Sequence, residues 1–313
     1  MMLGVSSGTA TVLGLHNKKS LADPTTAYVM LGNQCKNSCS FCNRWKSDKQ
    51  KLSRITWPLF DEDDVINSLE KAVLDKKINR VCFQVTCDQD EGTEIALLSA
   101  INKIKSKCDV SISVSAGIEQ NLFLEKIFIA GADNIAIPID AATPDLFAEI
   151  KKKDWNKTLV FLYSCAEKYP WKITTHLIVG LGETQEEAVT LLIELYEHKI
   201  ITGLFAFTPL PETDMRKKEP PEMDVYRKIQ LAHWLIKNEK SAYLSFKDGN
   251  VFFDKRVYDF VCKSEGKESI FRTSGCSFCN RPFYNERPGK LPYNYPLPLT
   301  PKEFGMALEL ALN

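Results

Sequence analysis

Three cysteines lie within eight residues in the first part of this chain. Cys35, Cys39 and Cys42 are separated by three residues and by two, and the segment around them is polar and turn-prone. A loop of this kind folds back on itself and directs its three sulfur atoms to one point. Thiolates held in this way bind a soft metal ion or an iron–sulfur cluster. Three ligands on a cluster of four irons leave one iron open, and chemistry takes place at such an open position.

A zinc site or three buried thiols are the alternatives to a cluster. Zinc sites usually use four ligands in two pairs, and no fourth cysteine or histidine lies near this loop in the sequence. The spacing therefore favours a cluster that has three cysteine ligands.

Charge, apolar content and cysteine usage indicate which partners and which cellular location to expect. Its 40 basic side chains balance its 40 acidic ones, which gives no indication that it binds nucleic acid or a membrane surface. No apolar run approaches the roughly 20 residues of a membrane-spanning helix, and the start lacks the basic region of a signal peptide. Ten cysteines without secretory features favour a cytoplasmic location and metal ligation over disulfides.

Strand and helix patterns alternate from residue 28 to residue 250. The predicted strands are 28–31, 80–87, 110–115, 134–140, 172–179, 203–208 and 243–246. The predicted helices are one that opens at 56–58 and continues to 73, and then 91–107, 119–129, 144–153, 156–168, 183–199 and 221–239. This alternation predicts an α/β fold of parallel βα units, which right-handed crossovers curl into a full or partial (β/α) barrel. We expect functional residues at the carboxyl ends of its strands.

Composition divides the chain into three parts. Residues 1–27 form an N-terminal leader, residues 28–250 the barrel core, and residues 251–313 a C-terminal extension rich in aromatic residues and proline. The extension carries a second cysteine pair, Cys276 and Cys279, in a segment that repeats the sequence Cys-Ser-Phe-Cys-Asn-Arg of the first loop. We expect the extension to cap the mouth of the barrel.

The spacing of the first three cysteines resembles the signature of the radical S-adenosylmethionine (radical SAM) enzymes. The resemblance implies a barrel of the radical SAM type and a 4Fe–4S cluster on Cys35, Cys39 and Cys42, the open iron of which binds the amino and carboxylate groups of SAM. It implies that an electron from the cluster cleaves SAM to methionine and a 5′-deoxyadenosyl radical. It also places Phe41, just before the last cysteine, beside the adenine.

Two later segments resemble SAM-contacting segments of biotin synthase and lipoyl synthase. The segment Ile-Val-Gly180-Leu-Gly182-Glu-Thr ends a strand and opens a helix. The resemblance implies that Gly180 and Gly182, which lack a Cβ, let the backbone approach SAM closely. It also implies that Asp140 contacts the SAM ribose from the end of its strand. His176 is the one histidine on a predicted barrel strand that faces the cavity in this interpretation.

The same resemblance implies cofactor-binding roles for three further side chains. Ser113 and Ser115 fall on the matching ribose-side strand, and Asp88 follows the strand where these enzymes hold the amino group of SAM. The alternatives are ordinary polar residues at a strand end for the serines and a solvated acidic loop around Asp88.

The late pair, Cys276 and Cys279, is a two-ligand clip that needs partners from elsewhere. By resemblance, Cys82 corresponds to a cysteine that holds the second cluster of biotin synthase, and Cys87 follows it on the same strand. Because successive side chains of a strand face opposite sides, these two point apart unless the chain turns. The resemblance implies an auxiliary 4Fe–4S cluster on the late pair and on Cys82 or Cys87. A zinc clip or a redox pair is the alternative.

The residues before the late pair, Arg-Thr-Ser274, resemble the Arg-Ser-Ser end of lipoyl synthase. In that family a serine oxygen ligates the auxiliary cluster until sulfur is given up, which implies this catalytic role for Ser274. The alternative is a turn residue beside Gly275. The other two cysteine ligands of biotin synthase fall on Ser113 and Thr174 here, so its second cluster is not built in the same way.

The remaining pattern resembles one component of the two-protein lipoyl synthases. The resemblance implies sulfur insertion into an octanoyl chain on a lysine of a lipoyl-carrier protein. It also implies a second radical SAM protein and an electron donor such as ferredoxin or flavodoxin. A biotin synthase-like enzyme, a radical SAM methyltransferase or mutase with a structural second cluster, and a non-catalytic zinc or cluster-binding module are the alternatives. A late pair far from the barrel mouth, or zinc between its two thiols, would exclude sulfur transfer.

Overall fold

The computed structural model describes residues 1–17, 19–32, 34–46, 51–86, 90–285 and 289–313. Its strands are β1 (Met2–Val5), β2 (Thr26–Leu31), β3 (Lys51–Leu52), β4 (Ile55–Thr56), β5 (Leu59–Asp61), β6 (Arg80–Val85), β7 (Ser111–Ser115), β8 (Asn134–Ala136), β9 (Ile173–Val179), β10 (Ile201–Ala206), β11 (Leu244–Lys247) and β12 (Asn250–Phe253). Its helices are α1 (Ser7–Val12), α2 (Glu62–Leu74), α3 (Glu91–Lys107), α4 (Asn121–Ile129), α5 (Pro144–Lys151), α6 (Trp155–Lys168), α7 (Gln185–Glu197), α8 (Met223–Lys237), α9 (Val257–Lys263) and α10 (Pro301–Leu312).

The main sheet has the order β10-β9-β8-β7-β6-β2-β1-β5. The six strands from β10 to β2 pair in parallel. Helices occupy the connections between these strands, as right-handed βα units require. The prediction of an α/β fold with a parallel (β/α) sheet is therefore confirmed.

The start of the chain contributes to this sheet. β1 pairs antiparallel with β2 on one side and with β5 on the other, and Leu3 and Val5 of β1 are buried. The sequence pattern did not indicate this strand, because its four residues are too few for a period of two to stand out. The segment predicted as a leader therefore contains the antiparallel edge of the main sheet.

Two further boundaries differ from the prediction. The helix expected from residues 56–58 begins at Glu62, because the Asp61 side chain accepts the N–H of Asp63 at 2.9 Å and caps the helix there. The predicted last barrel strand, β11, forms a separate hairpin with β12. Asp248 and Gly249 link these two strands in left-handed conformations that suit a tight hairpin turn.

The C-terminal extension is fixed to α8. Buried apolar side chains of α8, α9 and α10 form a second, smaller core that includes Leu231, Val257 and Leu308. The buried guanidinium of Arg227 donates to the carbonyl of Pro292 at 2.5 Å and to that of Tyr293 at 2.6 Å. These contacts hold the extension against the barrel wall. In the part of the chain that the structure describes, no helix has both the length and the apolar character needed to cross a membrane.

Candidate active site

The loop of residues 35–42, the triad loop, follows the carboxyl end of β2. Its centre is fixed from two sides, because the Ser40 N–H donates to the carbonyl of Ile150 at 2.9 Å and the Ser40 carbonyl accepts from the Asp214 N–H at 3.1 Å. The Trp45 indole donates to the Cys39 carbonyl at 3.1 Å. All three cysteines of the loop line one cavity of about 220 Å³, the triad cavity.

The thiols of this loop are held in an apolar setting. Burial raises the pKa of Cys42 to about 12 and also raises the pKa of Cys39. In the described part of the chain, no group of three or more His, Cys, Asp or Glu side chains is close enough together to hold a single metal ion. Three thiols that open on one cavity nevertheless suit a four-iron cluster, since its ligands lie farther apart than those of one ion.

The triad cavity also contains a buried ion pair. Lys151 donates to the carboxylate of Asp140 and, at 3.1 Å, to the carbonyl of Pro138. Only 8% and 10% of the two charged side chains are exposed. Phe41 lines the same cavity. Sequence reasoning missed Lys151, although its place beside Ile150 on the buried face of α5 is an unusual one for a lysine.

The two glycines after β9 do not line this cavity. The N–H groups of Gly180, Leu181 and Gly182 donate to the Glu183 carboxylate at 2.6, 3.0 and 3.1 Å. Gly180 has a φ of 98°, and a Cβ there would stand 2.8 Å from the ring of Pro221. Packing and backbone conformation therefore already require glycine at this position. The contact of Gly180 and Gly182 with SAM stays a prediction.

The structure separates the two serines of β7. Ser115 lines the triad cavity, whereas Ser113 lies deeper in the barrel and lines only the second cavity. The Ser113 hydroxyl accepts from Arg80 at 2.5 Å and donates to the Cys276 sulfur at 3.6 Å. Its surroundings thus favour a role beside the late pair over the predicted ribose contact. The predicted residues Cys87 and Asp88 lie outside the described residues.

Cys82, Cys276 and Cys279 line a second cavity of about 260 Å³, the late cavity. Gln84 donates to the Cys82 sulfur at 3.1 Å, and the Tyr28 hydroxyl lies 3.3 Å from the Cys279 sulfur. Burial raises the pKa of Cys82, and the neighbouring thiols of the late pair raise it further. The fold therefore brings together three thiols from distant parts of the sequence, and they again suit a cluster.

The segment of residues 272–285, the late loop, enters the barrel from the amino ends of the strands. The carbonyl of Phe278 accepts from the hydroxyls of Thr25 at 2.5 Å and Thr26 at 3.0 Å. Arg80, the first residue of β6, donates to the Ser277 carbonyl at 2.9 Å. The extension therefore does not cap the barrel mouth as expected, because its loop enters at the opposite end. The sulfurs of the late pair lie inside the barrel, that of Cys276 beside Ser113 of β7 and that of Cys279 beside Tyr28 of β2.

The late loop is also bonded to β10, at the other edge of the parallel strands. The Leu204 N–H donates to the Ser274 hydroxyl at 2.8 Å. Arg281 donates to the carbonyls of Leu204 and Ser274, both at 3.2 Å, while its guanidinium lies 3.6 Å from the ring of Phe205. The loop thus bridges β2 and β10 and fixes Ser274 at the wall of the late cavity.

The two cavities differ in charge. Among the described residues that line the late cavity, Arg80 and Arg281 carry the positive charges, and no aspartate or glutamate is present. The triad cavity holds Asp140 together with the basic residues Arg44 and Lys151. A lining with two guanidiniums stabilises thiolates and an anionic occupant.

Both cavities share a common wall, which we call the junction. Its six side chains are those of Leu52, Gln84, Ser115, His176, Phe205 and Tyr284. Burial lowers the pKa of His176 to about 4, so that the imidazole is neutral at neutral pH. The two cavities therefore adjoin at a wall whose six side chains carry no charge at neutral pH. Of the six, Ser115 and His176 are the two that sequence reasoning expected at the site.

A family model described as the Radical SAM superfamily matches residues 29–195, more than half of the chain. A biotin synthase from Sulfurihydrogenibium is 23% identical over 59% of this chain and 55% of its own length. The mitochondrial lipoyl synthase of Schizosaccharomyces pombe is 23% identical over 76% of this chain and 66% of its own. A lipoyl synthase from Caldicellulosiruptor saccharolyticus is 28% identical over 55% of this chain and 59% of its own. The chain thus spans half to two thirds of the length of these relatives.

Solved structures share the fold at low identity. The FeFe-hydrogenase maturase HydG from Carboxydothermus hydrogenoformans superposes with a TM-score of 0.55, at 16% identity, over 69% of this chain and 52% of its own. Methylornithine synthase superposes with a TM-score of 0.52, at 16% identity, over 69% of this chain and 62% of its own. Both matches support the barrel architecture and nothing finer.

Proposed function

This chain belongs to the radical SAM superfamily, and on that premise we propose that it is a sulfur-inserting enzyme, one component of a lipoyl synthase. The substrate in this proposal is an octanoyl chain on a lysine of a lipoyl-carrier protein. A second radical SAM protein completes the other insertion, and a ferredoxin or flavodoxin supplies electrons. Relatives named lipoyl synthase and biotin synthase support this class of reaction at low identity.

One observation carries the proposal: the triad cavity and the late cavity meet at the junction. A 4Fe–4S cluster with SAM in the first cavity would provide hydrogen-atom removal from an unactivated carbon, and an auxiliary 4Fe–4S cluster in the second would provide inorganic sulfide. Both chemistries have to reach the same carbon atom. A shared wall between the two sites supports that requirement better than two separate sites would.

The residues of the chain have distinct tasks in this proposal. Cys35, Cys39 and Cys42 hold the first cluster, while Cys82 and the late pair hold the second. Neutral and apolar side chains at the junction keep water from the reacting carbon and hold it in position. The Ser274 hydroxyl, fixed by the Leu204 N–H, offers a weak oxygen ligand at a centre that has to open.

The late cavity also separates this proposal from biotin synthase activity. Cys82, Ser113 and Thr174 lie on β6, β7 and β9 and line the same cavity. The resemblance assigns these positions to cysteine ligands in biotin synthase, but two of them are hydroxyl residues here. Cys276 lies against one of those hydroxyls, since the Ser113 hydroxyl donates to its sulfur at 3.6 Å, and Cys279 lines the same cavity. The replacement of two cysteine ligands by hydroxyl residues, with the late pair beside them, favours a sulfur-donor site that differs from that of biotin synthase.

Iron and sulfide contents of the anaerobically reconstituted protein test the two-cluster proposal. We expect about eight irons per chain, and about four after Cys276 and Cys279 are both replaced with alanine. Replacement of Cys262, an exposed cysteine of the same extension, provides the matched control and should leave the content unchanged. About four irons in the wild type, unaffected by the double replacement, would exclude the donor role. Zinc bound to the late pair would exclude it as well.

The product tests the reaction class. Incubation with SAM, a reductant and the octanoylated carrier should yield a carrier on which one C–H bond of the octanoyl chain has become a C–S bond. Mass spectrometry of the digested carrier measures this change. An unmodified or methylated carrier, together with SAM cleavage, would instead indicate another radical SAM reaction.

A further inference from the structure

Leu52 differs from the other side chains of the junction. The other five carry polar or aromatic groups and come from β6, β7, β9, β10 and the late loop. Leu52 comes from the short hairpin of β3 and β4, and it is the one purely aliphatic side chain among the six. The end of a saturated chain that reaches the junction would therefore meet an aliphatic surface at Leu52.

Several apolar side chains line the late cavity together with Leu52. Ile55, paired with Leu52 across the hairpin, lines this cavity together with Trp57, Pro24 and Ala22. Trp57 is only 2% exposed, so its ring forms a fixed part of the wall. Ala22 and Pro24 precede β2, whereas Ile55 and Trp57 belong to the hairpin and to the residues just after it. An alkyl chain in the late cavity would lie against these apolar side chains as well as against Leu52.

The position of Leu52 is set by contacts of the hairpin with three other parts of the site. Asn43, which follows Cys42, donates to the carbonyl of Ser53 at 3.0 Å. Arg54 donates to the carbonyl of Asn285 at 3.5 Å, and Ser7 of α1 donates to the carbonyl of Thr56 at 3.1 Å. The hairpin is thereby held between the triad loop, the late loop and the N-terminal segment.

We propose that Leu52 is a specificity-determining residue that sets the length of the acyl chain accepted by the enzyme. This inference rests on the function proposed above. The side chain of Leu52 acts as a stop for the chain end and so decides which carbon atom lies at the junction. A smaller residue at position 52 lets a longer chain fill the cavity, and a larger residue shortens the chain that fits.

Calorimetric binding of acylated carrier peptides to the reconstituted protein tests this proposal. The peptides carry hexanoyl, octanoyl or decanoyl lysine. We expect the wild type to bind the octanoyl peptide best, Leu52→Ala to prefer the decanoyl peptide and Leu52→Phe the hexanoyl peptide. Each buried methylene group contributes about fourfold in affinity. Lys51→Ala is the matched control, since Lys51 is the exposed neighbour on β3 and lines neither cavity.

A second readout follows the position of the carbon atom at the junction. With octanoyl carrier, Leu52→Ala should form more 5′-deoxyadenosine per thiolated product than the wild type, because the chain end is no longer held. Ile55→Phe narrows the late cavity without changing residue 52. It should therefore weaken the binding of all three peptides and leave octanoyl as the preferred chain length. This variant also serves if the Leu52 variants fail to fold.

The outcomes separate this inference from the proposed function. A wild type that binds none of the acyl peptides would overturn both. A wild type that prefers octanoyl, with the same preference in both Leu52 variants, would overturn the stop and leave sulfur insertion standing. A shift of the preferred length in Ile55→Phe would also overturn it, because the stop would then lie at residue 55.

Discussion

The two thiol groups line neighbouring cavities, but the chain assembles them in different ways. The triad is contained within eight residues of one loop, whereas the late group joins Cys82 of β6 to Cys276 and Cys279 of the C-terminal extension. Spacing alone brings the first group together. The second depends on the contacts that draw the late loop between β2 and β10. Substitutions elsewhere in the fold should therefore disturb the ligands of the late site more readily than those of the triad.

The two sites also differ in how their charges are balanced. In the triad cavity, the Asp140 carboxylate accepts a hydrogen bond from the buried Lys151 ammonium. In the late cavity, the described lining has two guanidiniums and no carboxylate. The carboxylate of the first site thus has an ion-pair partner before any ligand binds. The second has excess positive charge that an anionic occupant would neutralise.

Removal of one thiol from each site gives the largest expected contrast. We expect Cys39→Ala to reduce reductive SAM cleavage by more than about a hundredfold, because the open cluster loses one of three ligands. Cys276→Ala should leave SAM cleavage within about a few fold of wild type but abolish the thiolated product. Chromatographic measurement of 5′-deoxyadenosine and of modified carrier separates the two effects. Equal loss of SAM cleavage in both variants would contradict the separation of the sites.

Replacement of Lys151 tests the charge pairing of the triad cavity. We expect Lys151→Met to lower the free energy of unfolding by about 3–5 kcal/mol, because the buried Asp140 carboxylate loses its ammonium partner. Urea unfolding of the protein without clusters measures this change. Addition of Asp140→Asn to the variant should recover part of the loss, since the unpaired carboxylate is then removed. A loss below about 1 kcal/mol would show that other groups compensate Asp140.

Much of the fold was predictable from the sequence because local patterns specify it. The helix over residues 91–107 has the predicted bounds, and the predicted parallel strands occur within a few residues of their expected positions. The antiparallel β1 and the hairpin of β3 and β4 were not predictable. Strands of two to four residues are too short for a periodic pattern, and only tertiary contacts select them.

The candidate site was predictable to a lesser extent. Spacing indicated the triad, and the repeated segment around Cys276 indicated the late pair. The entry of the late loop from the amino ends of the strands depends on single hydrogen bonds, such as those to Thr25 and Arg80. Leu52 lies in a stretch that reads as polar and exposed in the sequence. Contacts of this kind produce no periodic pattern in the sequence, so the residues of the junction could be identified only from the structure.

A methyl group at Gly275 should disturb the late site alone. Gly275 has a φ of 102°, and a Cβ there would stand 3.2 Å from the Cα of Gly203 on β10. The matched control is Gly266, which has a φ of 73° and no atom within 4 Å of the position that an added methyl group would take. Both Gly→Ala changes have the backbone cost of a positive φ. We expect Gly275→Ala to cost about 1–3 kcal/mol more, because the crowded loop has to move.

Iron analysis and thermal unfolding distinguish the two glycine variants. Gly275→Ala should lose about half of the bound iron while the SAM-cleaving activity remains, and Gly266→Ala should keep its full iron content. Loss of iron from both variants would mean that the late site responds to general destabilisation. Retention of all iron in Gly275→Ala would show that the approach of the late loop to β10 does not hold the late site.

The smallest effect expected at neutral pH concerns the anchor of the extension, because it appears only in acid. His233 lies on α8, and burial lowers the pKa of this histidine to about 3. The unfolded chain, with a pKa near 6.5, binds the proton more readily than the folded protein does. The contribution of the neutral imidazole to the free energy of unfolding is therefore complete above about pH 6.5. It is lost as the pH falls toward 3.

Replacement of His233 with glutamine, which does not titrate, should flatten this dependence. We expect the variant to differ little from the wild type in slope above pH 7 and to lose less stability than the wild type between pH 6 and pH 4. Urea unfolding of the cluster-free protein at several pH values measures the two slopes. Parallel slopes would assign the acid sensitivity to other groups. A flatter slope would show that the packing of α8, on which the extension and its cysteine pair depend, is the part of the molecule that acid weakens.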